Sequence, residues 1–213
     1  MRRSFAHLTA VAATLLLVGT AGAADGSWGP GADDASFQAM LKSGFREAGI
    51  AKLSRLEQDA TQAFCSDPKA AESKDAAKKR AEIEAANLAT VKWPSDGKFL
   101  GDFKEGEKIA QSGRGLTSTD KADQVNGGNC YNCHQISKKE ISYGTIGPSL
   151  VGYGKLKGNS ETAQKETWSK IWNSKASNAC SNMPRGGHMG IITEQQVRDL
   201  VALLLDPASP VNQ

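Results

Sequence analysis

Two cysteines and a histidine lie within five consecutive residues of this chain, in the stretch CYNCH. Cys130 and Cys133 are three positions apart, and His134 directly follows the second cysteine. Two thiols and an imidazole at this spacing suit three kinds of site: a zinc site, a redox-active disulfide, or a cofactor bound covalently through both sulfur atoms. Each kind requires different residues elsewhere, so the remaining sequence can discriminate between them.

The zinc and redox interpretations lack the residues that they need. A structural zinc site takes four nitrogen or sulfur ligands, usually from paired motifs. The other candidates after the N-terminal leader are Cys65, Cys180 and His188, which are distant from one another and form no paired motif. A thioredoxin-like redox pair belongs to a βαβ unit, and no strand pattern stands out in this sequence.

The third interpretation is a covalently bound haem. CxxCH is the sequence signature of c-type haem attachment, in which both thiols add to the vinyl groups of the porphyrin. The histidine next to the second cysteine then lies under the iron as the proximal ligand. We therefore expect one haem c, attached through Cys130 and Cys133, with His134 bound to its iron.

The second axial ligand determines the chemistry of such a haem. An open position suits ligand binding or catalysis, whereas a methionine sulfur closes the iron and raises its potential for electron transfer. The downstream candidates are Met183, His188 and Met189. We expect Met183, because Pro184 fixes the backbone of the loop that carries it. Core packing is the alternative role for a methionine.

The segment Gly147-Pro148-Ser149-Leu150 has a possible role on the proximal side. A ligating histidine usually donates its second ring N–H to an acceptor, which fixes its tautomer and orientation. We expect the Pro148 carbonyl to accept this hydrogen bond from His134. A simple turn is the alternative interpretation of this segment.

The first 24 residues have the character of a secretory signal. Arg2 and Arg3 give a basic start, the stretch 8–18 is almost wholly apolar, and small residues follow it. This order predicts a signal peptide cleaved after Ala23 or Ala24, and the apolar run is short for a bilayer core of about 30 Å. We therefore expect export to an oxidising compartment, in which idle thiols do not persist.

Composition and charge exclude some classes of partner. Lysine and arginine number 26 against 23 acidic residues, and loss of Arg2 and Arg3 with the leader lowers the formal net charge from +3 to +1. This balance does not indicate a nucleic acid partner. No later stretch is long and apolar enough to span a membrane, so we expect no membrane span.

Helical signals recur along the chain, and they predict an all-α fold with long loops. Helices are predicted over 69–91, 102–113, 161–175 and 193–206. Asp102 suits the N-cap of one helix, and Thr193 with Gln196 forms a capping box for the last. Trp168 and Trp172 are one helical turn apart, so we expect both rings on the same side.

The order of these motifs resembles a class I c-type cytochrome: CxxCH, then Gly-Pro-x-Leu, then Met-Pro before a C-terminal helix. The resemblance covers about 98–206. We therefore divide the chain into four segments. They are a signal peptide (1–24), a helical N-terminal extension (25–97), a class I cytochrome c domain (98–208) and a C-terminal tail (209–213).

Three stretches resemble a more specific family, the SoxX subunits of SoxAX cytochromes. They are GGNCYNCH (127–134), GTIGPSLVGYGKLKG (144–158) and NMPRGGHMGIITEQQVRDLVALLLDPASPVN (182–212). The tail LLDPASPVN carries weight, because no general requirement of haem packing dictates it. SoxAX cytochromes belong to the periplasmic thiosulfate-oxidising Sox system.

The resemblance implies an electron-transfer subunit. In that family SoxX forms a heterodimer with the haem-bearing SoxA, and the complex couples thiosulfate oxidatively to a cysteine of the carrier SoxYZ. The complex is an L-cysteine S-thiosulfotransferase whose proposed catalytic cysteine lies on SoxA. This chain would bind haem through Cys130 and Cys133, with His134 and Met183 as axial ligands, and pass electrons to an acceptor such as another cytochrome.

Two other functions fit a c-type haem. A free-standing periplasmic electron carrier is the first, although the N-terminal extension of about 70 residues favours a subunit. A haem sensor or gas binder is the second, and it requires an iron position that is easily vacated.

Four residues outside the haem motif bear on the surroundings of the distal ligand. Cys65 and Cys180 are left over in an oxidising compartment, so they most simply form a disulfide between the extension and the loop before Met183. A reactive or modified cysteine is the alternative.

An aromatic residue commonly follows Met-Pro-Arg in SoxX subunits, whereas Gly186 and Gly187 follow here. We therefore expect a less packed distal loop.

Overall fold

The computed structural model describes residues 35–213, and the predicted signal peptide lies outside the described residues. Within them the secondary structure is helical, apart from an isolated antiparallel bridge between Ala48 and Ala51. The α-helices are α1 (Ala35–Gly44), α2 (Ala60–Ser66), α3 (Pro68–Glu72), α4 (Ala76–Leu88), α5 (Phe103–Gln111), α6 (Tyr153–Lys157), α7 (Glu161–Trp172) and α8 (Glu194–Leu205). Short 3-10 turns lie at Leu53–Leu56, Cys130–Asn132, Ser174–Ala176 and Pro210–Asn212. The all-α prediction is confirmed.

The chain divides into two compact units at Gly44. Helix α1 belongs to the first unit, and the chain from Phe45 to Gln213 forms the second. The predicted boundary between extension and cytochrome domain, near residue 97, therefore falls inside one compact unit. One contact that crosses the predicted boundary is a hydrogen bond: the Trp168 indole N–H donates to the Lys92 carbonyl at 2.9 Å.

Capping residues determine where several helices begin. Asp102 caps α5 through its side chain, and Thr193 with Gln196 forms a capping box at α8, as the sequence predicts. A second capping box, formed by Asp59 and Gln62, begins α2. These caps satisfy backbone N–H groups that have no partner inside the helix.

The helix predicted over 69–91 is divided into α3 and α4. The interruption begins at Ser73, whose hydroxyl donates to the Ala70 carbonyl at 2.9 Å and whose backbone is extended. Serine competes in this way for the hydrogen bonds that would continue a helix. The prediction of a single helix was wrong at this point.

The hydrophobic core lies where α8 packs against α5 and α7. Trp168 is completely buried, and its ring stacks on that of Trp172 with the centroids 5.8 Å apart. Phe99 contacts Trp168 edge-on at 5.6 Å, an arrangement that aromatic quadrupoles favour. The prediction that both tryptophans face the same side is confirmed.

The C-terminal residues 209–213 pack onto the rest of the second unit. Val211 and Asn212 are buried. The side-chain oxygen of Asn212 accepts the Gly154 N–H at 2.8 Å, and the Gly152 N–H donates to the Val211 carbonyl at 2.7 Å. The tail therefore fixes the start of α6, at the end of the glycine-rich loop.

Within residues 35–213, no helix combines the length and the apolar composition needed to cross a membrane.

Candidate haem-binding site

The CYNCH segment folds as a 3-10 turn over Cys130–Asn132. The chain enters it through Asn129, whose φ of 51° lies in the left-handed region that asparagine tolerates. The Cys130 carbonyl accepts the N–H groups of Cys133, at 3.1 Å, and of His134, at 2.9 Å. Because side chains three residues apart align in such a turn, both cysteines lie on the same side of it.

Cys130 and Cys133 are not bonded to each other, and both are half-buried. Burial raises the pKa of the Cys130 thiol to about 11. A cysteine that exchanges disulfides reacts as the thiolate and typically has a lowered pKa. The surroundings of this motif therefore do not favour the redox-active disulfide.

The imidazole of His134 is oriented by one hydrogen bond. Its Nδ1 atom lies 2.7 Å from the carbonyl oxygen of Pro148. Since a carbonyl can only accept, Nδ1 donates and Nε2 keeps its lone pair. The structure thus brings together the two residues that the sequence analysis paired, in the arrangement that orients a metal-ligating histidine.

Backbone hydrogen bonds align the glycine-rich loop with the CYNCH turn. The Gly144 N–H donates to the Tyr131 carbonyl at 2.9 Å, and the Gly147 N–H donates to the Cys133 carbonyl at 2.8 Å. A Cβ atom on Gly147 would lie 2.3 Å from Cε1 of His134. Only glycine lets the loop come this close to the imidazole, and this approach brings the next carbonyl to Nδ1.

Among the three candidates for the distal ligand, Met183 packs against the hydrophobic core. It is half-buried, whereas His188 is exposed and the exposed fraction of Met189 is 58%. The Met183 carbonyl accepts from the Ser174 hydroxyl at 2.6 Å, and its N–H donates to Ser181 Oγ at 3.1 Å. Met183 therefore has apolar surroundings and a fixed backbone, which suit a thioether ligand.

The chain after Met183 is closely packed, although its two glycines led us to expect otherwise. A Cβ atom on Gly187 would lie 2.5 Å from ring atoms of Trp172, and one on Gly186 would lie 2.9 Å from Cδ1 of Ile192. The backbone itself fills the space next to the tryptophan. The expectation of a loosely packed distal loop was therefore wrong.

A disulfide joins Cys65 of α2 to Cys180, which lies shortly before Met183 in the chain. The two Cα atoms are 5.4 Å apart, and the two cysteines are separated by 115 residues in sequence. The bridge connects the N-terminal extension directly to the segment that carries Met183.

The donor atoms fit a covalently attached haem and do not fit a zinc ion. In the part of the chain that the structure describes, no three His, Cys, Asp or Glu side chains come together as a metal site, whereas structural zinc takes four ligands. Two thiols on one side of a turn, an imidazole with a free Nε2 and a thioether are the groups that hold a c-type haem. Cys130, Cys133, His134 and Met183 could supply them.

Sequence reasoning missed the residues of the extension that contact the chain around Met183. Asp59 Oδ2 lies 2.6 Å from Nη2 of Arg185, and Glu84 accepts the Ala179 N–H at 3.0 Å. An aspartate at a helix N-cap and a glutamate in a helix rich in Ala, Glu and Lys are ordinary at such positions. The available signal was the capping box at Asp59, which indicates only a helix start.

Comparison with known proteins identifies the domain. Residues 103–206 match the cytochrome c family, from the first residue of α5 to just beyond α8. A relative described as an uncharacterized lipoprotein of Aquifex aeolicus (strain VF5) is 38% identical over 159 residues, which is 73% of this chain and 73% of the relative. The chain therefore contains a cytochrome c domain at residues 103–206, and this domain supports an electron-transfer protein with covalently bound haem c.

Proposed function

We propose that this chain is the monohaem electron-transfer subunit of a SoxAX-type complex, which couples thiosulfate to a cysteine of a SoxYZ-type carrier. Cys130 and Cys133 would form the thioether bonds to the haem, and His134 and Met183 would supply the two protein ligands of its iron. When bound, the haem supplies a one-electron redox centre at this site.

The two axial residues suit electron transfer. The Nδ1 proton of His134 is held by the Pro148 carbonyl, so the ring keeps one orientation and presents Nε2 as the ligand atom. Met183 contributes a neutral sulfur from apolar surroundings, which favours the reduced state of the iron. Ligation of the iron by both residues would leave no position for a substrate or gas.

The observation that carries the SoxX assignment is the contact between two stretches that resemble SoxX subunits, 144–158 and 204–212. Asn212 in the second stretch accepts the Gly154 N–H at 2.8 Å, and the Gly152 N–H donates to the Val211 carbonyl at 2.7 Å. The two stretches depend on each other structurally. The resemblance therefore extends to a contact in the fold as well as to the two separate stretches of sequence, and this contact supports the assignment.

The proposed reaction removes two electrons from a thiol and thiosulfate together. The outer sulfur of thiosulfate bonds to the sulfur of the carrier cysteine, the S–H bond of that cysteine breaks, and one proton and two electrons leave. The product is a cysteine S-thiosulfonate. In the proposed complex, which acts as an L-cysteine S-thiosulfotransferase, the catalytic cysteine belongs to the SoxA-type partner, and this chain contributes electron transfer.

We propose the periplasm as the location of the complex. The disulfide between Cys65 and Cys180 is typical of exported proteins. The predicted signal peptide (1–24) and the name of the relative, a lipoprotein, also support export.

Isolation of the native holo-protein tests the proposal. Its companion is identified by mass, and haem reduction is followed by visible absorption after addition of thiosulfate and a SoxYZ-type carrier. We expect a haem-bearing companion and reduction that requires both thiosulfate and the carrier. A single isolated chain, or a companion without haem or thiosulfate chemistry, would contradict the proposal and favour a free-standing electron carrier.

A further inference from the structure

The distal segment, defined as residues 173–185, follows α7 and carries the proposed sulfur ligand. It contacts the N-terminal extension near its start, in its middle and at its end. The contacting residues of the segment are Asn173, Ala179, Cys180 and Arg185.

At the start of the distal segment, the completely buried side chain of Asn173 connects it to α4 and the chain just after that helix. Its Nδ2 donates to Oδ1 of Asn87 at 3.0 Å and to Oγ1 of Thr90 at 3.1 Å. Asn87 is itself buried. Loss of either partner would leave a buried polar group unpaired, so this contact fixes the position of the segment.

In the middle of the segment, a hydrogen bond and a covalent bond are adjacent. The Ala179 N–H donates to Oε1 of Glu84 at 3.0 Å, and the Ala179 carbonyl accepts from the buried ammonium of Lys175 at 3.1 Å. The next residue, Cys180, is bonded to Cys65. Both backbone polar groups of Ala179, its N–H and its carbonyl, therefore bind ionisable side chains.

At the end of the segment, Arg185 forms an ion pair with Asp59. Its Nη2 lies 2.6 Å from Oδ2 of Asp59, and the side chain of Arg185 is only 12% exposed. Burial raises the pKa of the Asp59 carboxyl, but the hydrogen bonds from the Gln62 N–H and Arg185 outweigh it and leave the pKa below its usual range. The carboxylate is therefore charged at neutral pH.

We infer that three residues of the extension, Asp59, Cys65 and Glu84, are positioning residues that keep the sulfur of Met183 in place as the distal ligand. The inference rests on the proposed ligation by Met183. Because Met183 lies between two tethered positions of the distal segment, the chain is held on both sides of it. A tethered segment releases its ligand only by opening locally, and each tether makes that opening rarer.

Displacement of the sulfur by added imidazole tests this inference on the ferric holo-protein. Imidazole reaches the iron only when Met183 has left it, so its apparent affinity reports the population of the opened segment. We expect the double variant Cys65→Ser/Cys180→Ser to bind imidazole about tenfold more tightly, which corresponds to about 1.4 kcal/mol. We expect a smaller gain, about three- to fivefold, for Asp59→Asn, because its ion pair is partly exposed.

Two control variants separate local opening from general destabilisation. Asp59→Asn keeps an N-cap acceptor for α2, and Asp67→Asn makes the same change at the N-cap of α3, where Asp67 accepts the Lys69 N–H at 2.8 Å. We expect wild-type imidazole affinity for Asp67→Asn. Asn212→Ala destabilises the fold at the α6 contact, and we expect it to leave the imidazole affinity unchanged as well.

Hydrogen exchange gives a readout that does not depend on the haem. We expect the amide of Ala179 to exchange faster in the double cysteine variant and in Glu84→Ala, while the amides of Cys133 and His134 keep their rates. Unchanged imidazole affinity and unchanged exchange at Ala179 in all of the tether variants would overturn the inference.

The spectrum of the wild-type protein distinguishes failure of this inference from failure of the proposed ligation. Ligation by Met183 gives the ferric protein a weak long-wavelength band from sulfur-to-iron charge transfer, and Met183→Ala removes it. Absence of the band from the wild type overturns the ligation and the inference together. If the band is present and is lost in Met183→Ala, equal imidazole affinities in wild type and tether variants overturn the inference alone.

Discussion

Nδ1 of His134 lies 2.7 Å from the carbonyl oxygen of Pro148, next to the point where Gly147 contacts the imidazole ring. The hydrogen bond and the close approach depend on each other, because the carbonyl reaches the ring only when the loop lies against it. The proximal side of the site is therefore sensitive to a single added methyl group.

Gly147→Ala introduces that methyl group. Its Cβ atom would lie 2.3 Å from Cε1 of His134, so the loop or the ring must move and the hydrogen bond to Pro148 is lost. We expect the free energy of unfolding, measured in urea, to fall by about 1–3 kcal/mol, as for other overpacked sites. We also expect the reduction potential to change.

Gly44→Ala is the matched control for this substitution, because a Cβ atom there has no neighbour within 4 Å. We expect its unfolding free energy to remain within about 1 kcal/mol of the wild type and its potential to be unchanged. Equal behaviour of the two alanine variants would contradict the steric argument.

Met183→Ala removes the proposed distal ligand. We expect loss of the sulfur-to-iron charge-transfer band and a lower reduction potential, since methionine ligation raises the potential. Met189→Ala is the control, because this side chain is 58% exposed and should leave both properties unchanged. Absorption spectra and redox titrations of the two variants test whether Met183 is the distal ligand. A spectral change in Met189→Ala alone would assign that role to Met189 instead.

Asn212→Ala breaks the contact between the C-terminal tail and α6. The buried side chain accepts the N–H groups of Gly154, at 2.8 Å, and Lys155, at 3.2 Å. Leaving these donors without a partner costs about 1–3 kcal/mol, which urea unfolding would measure. Gln213→Ala, at an exposed position, should change the unfolding free energy by less than about 0.5 kcal/mol.

Trp168→Phe tests the contact between the extension and α7. The completely buried indole donates to the Lys92 carbonyl at 2.9 Å, so the substitution leaves that carbonyl unpaired and opens a small cavity. We expect the unfolding free energy to fall by about 2–4 kcal/mol. Trp93→Phe, at a ring that is 43% exposed, should cost less than about 1 kcal/mol, and equal losses would argue against a specific role for Trp168.

The ion pair between Asp59 and Arg185 predicts a dependence on pH. The pKa of Asp59 is lower in the folded protein than its usual value, so the stabilisation is present above the unfolded pKa, about 4, and is lost as the pH falls through the folded pKa. We expect the wild type to melt about 1–4 °C above Asp59→Asn at pH 7. This gap should close in acid, where the carboxyl is protonated.

The charges that face Asp59 are those of Arg185 and Lys175. A gap between the melting temperatures that is independent of pH would show that Asp59→Asn acts through the α2 cap rather than through the ion pair.

Local chemistry made part of the structure predictable. The Thr193–Gln196 capping box and the Asp102 cap depend on residues within one helical turn, so the sequence shows them directly. The interruption at Ser73 was missed, because a serine hydroxyl within a helical pattern competes only weakly with the helix.

Long-range contacts were harder to predict, for a different reason. The pairing of His134 with Pro148 was accessible, because a ligating histidine needs an acceptor and the glycine-rich loop follows the motif closely. The contact between Asp59 and Arg185 has no such requirement behind it. The contact arises because α2 packs against the distal segment. Such packing between distant parts of the chain produces no periodic sequence pattern, so the sequence does not predict it.

The bridge between Cys65 and Cys180 closes a ring of polypeptide that contains the whole CYNCH segment. Under the proposed haem attachment, the two cysteine pairs require opposite treatment during maturation: Cys65 and Cys180 must be oxidised, whereas Cys130 and Cys133 must stay reduced until their thioether bonds form. A crossed bond between the two pairs would leave the ring open and remove a thiol from haem attachment. Maturation of this protein would therefore require oxidation of the correct pair of cysteines as well as a supply of haem.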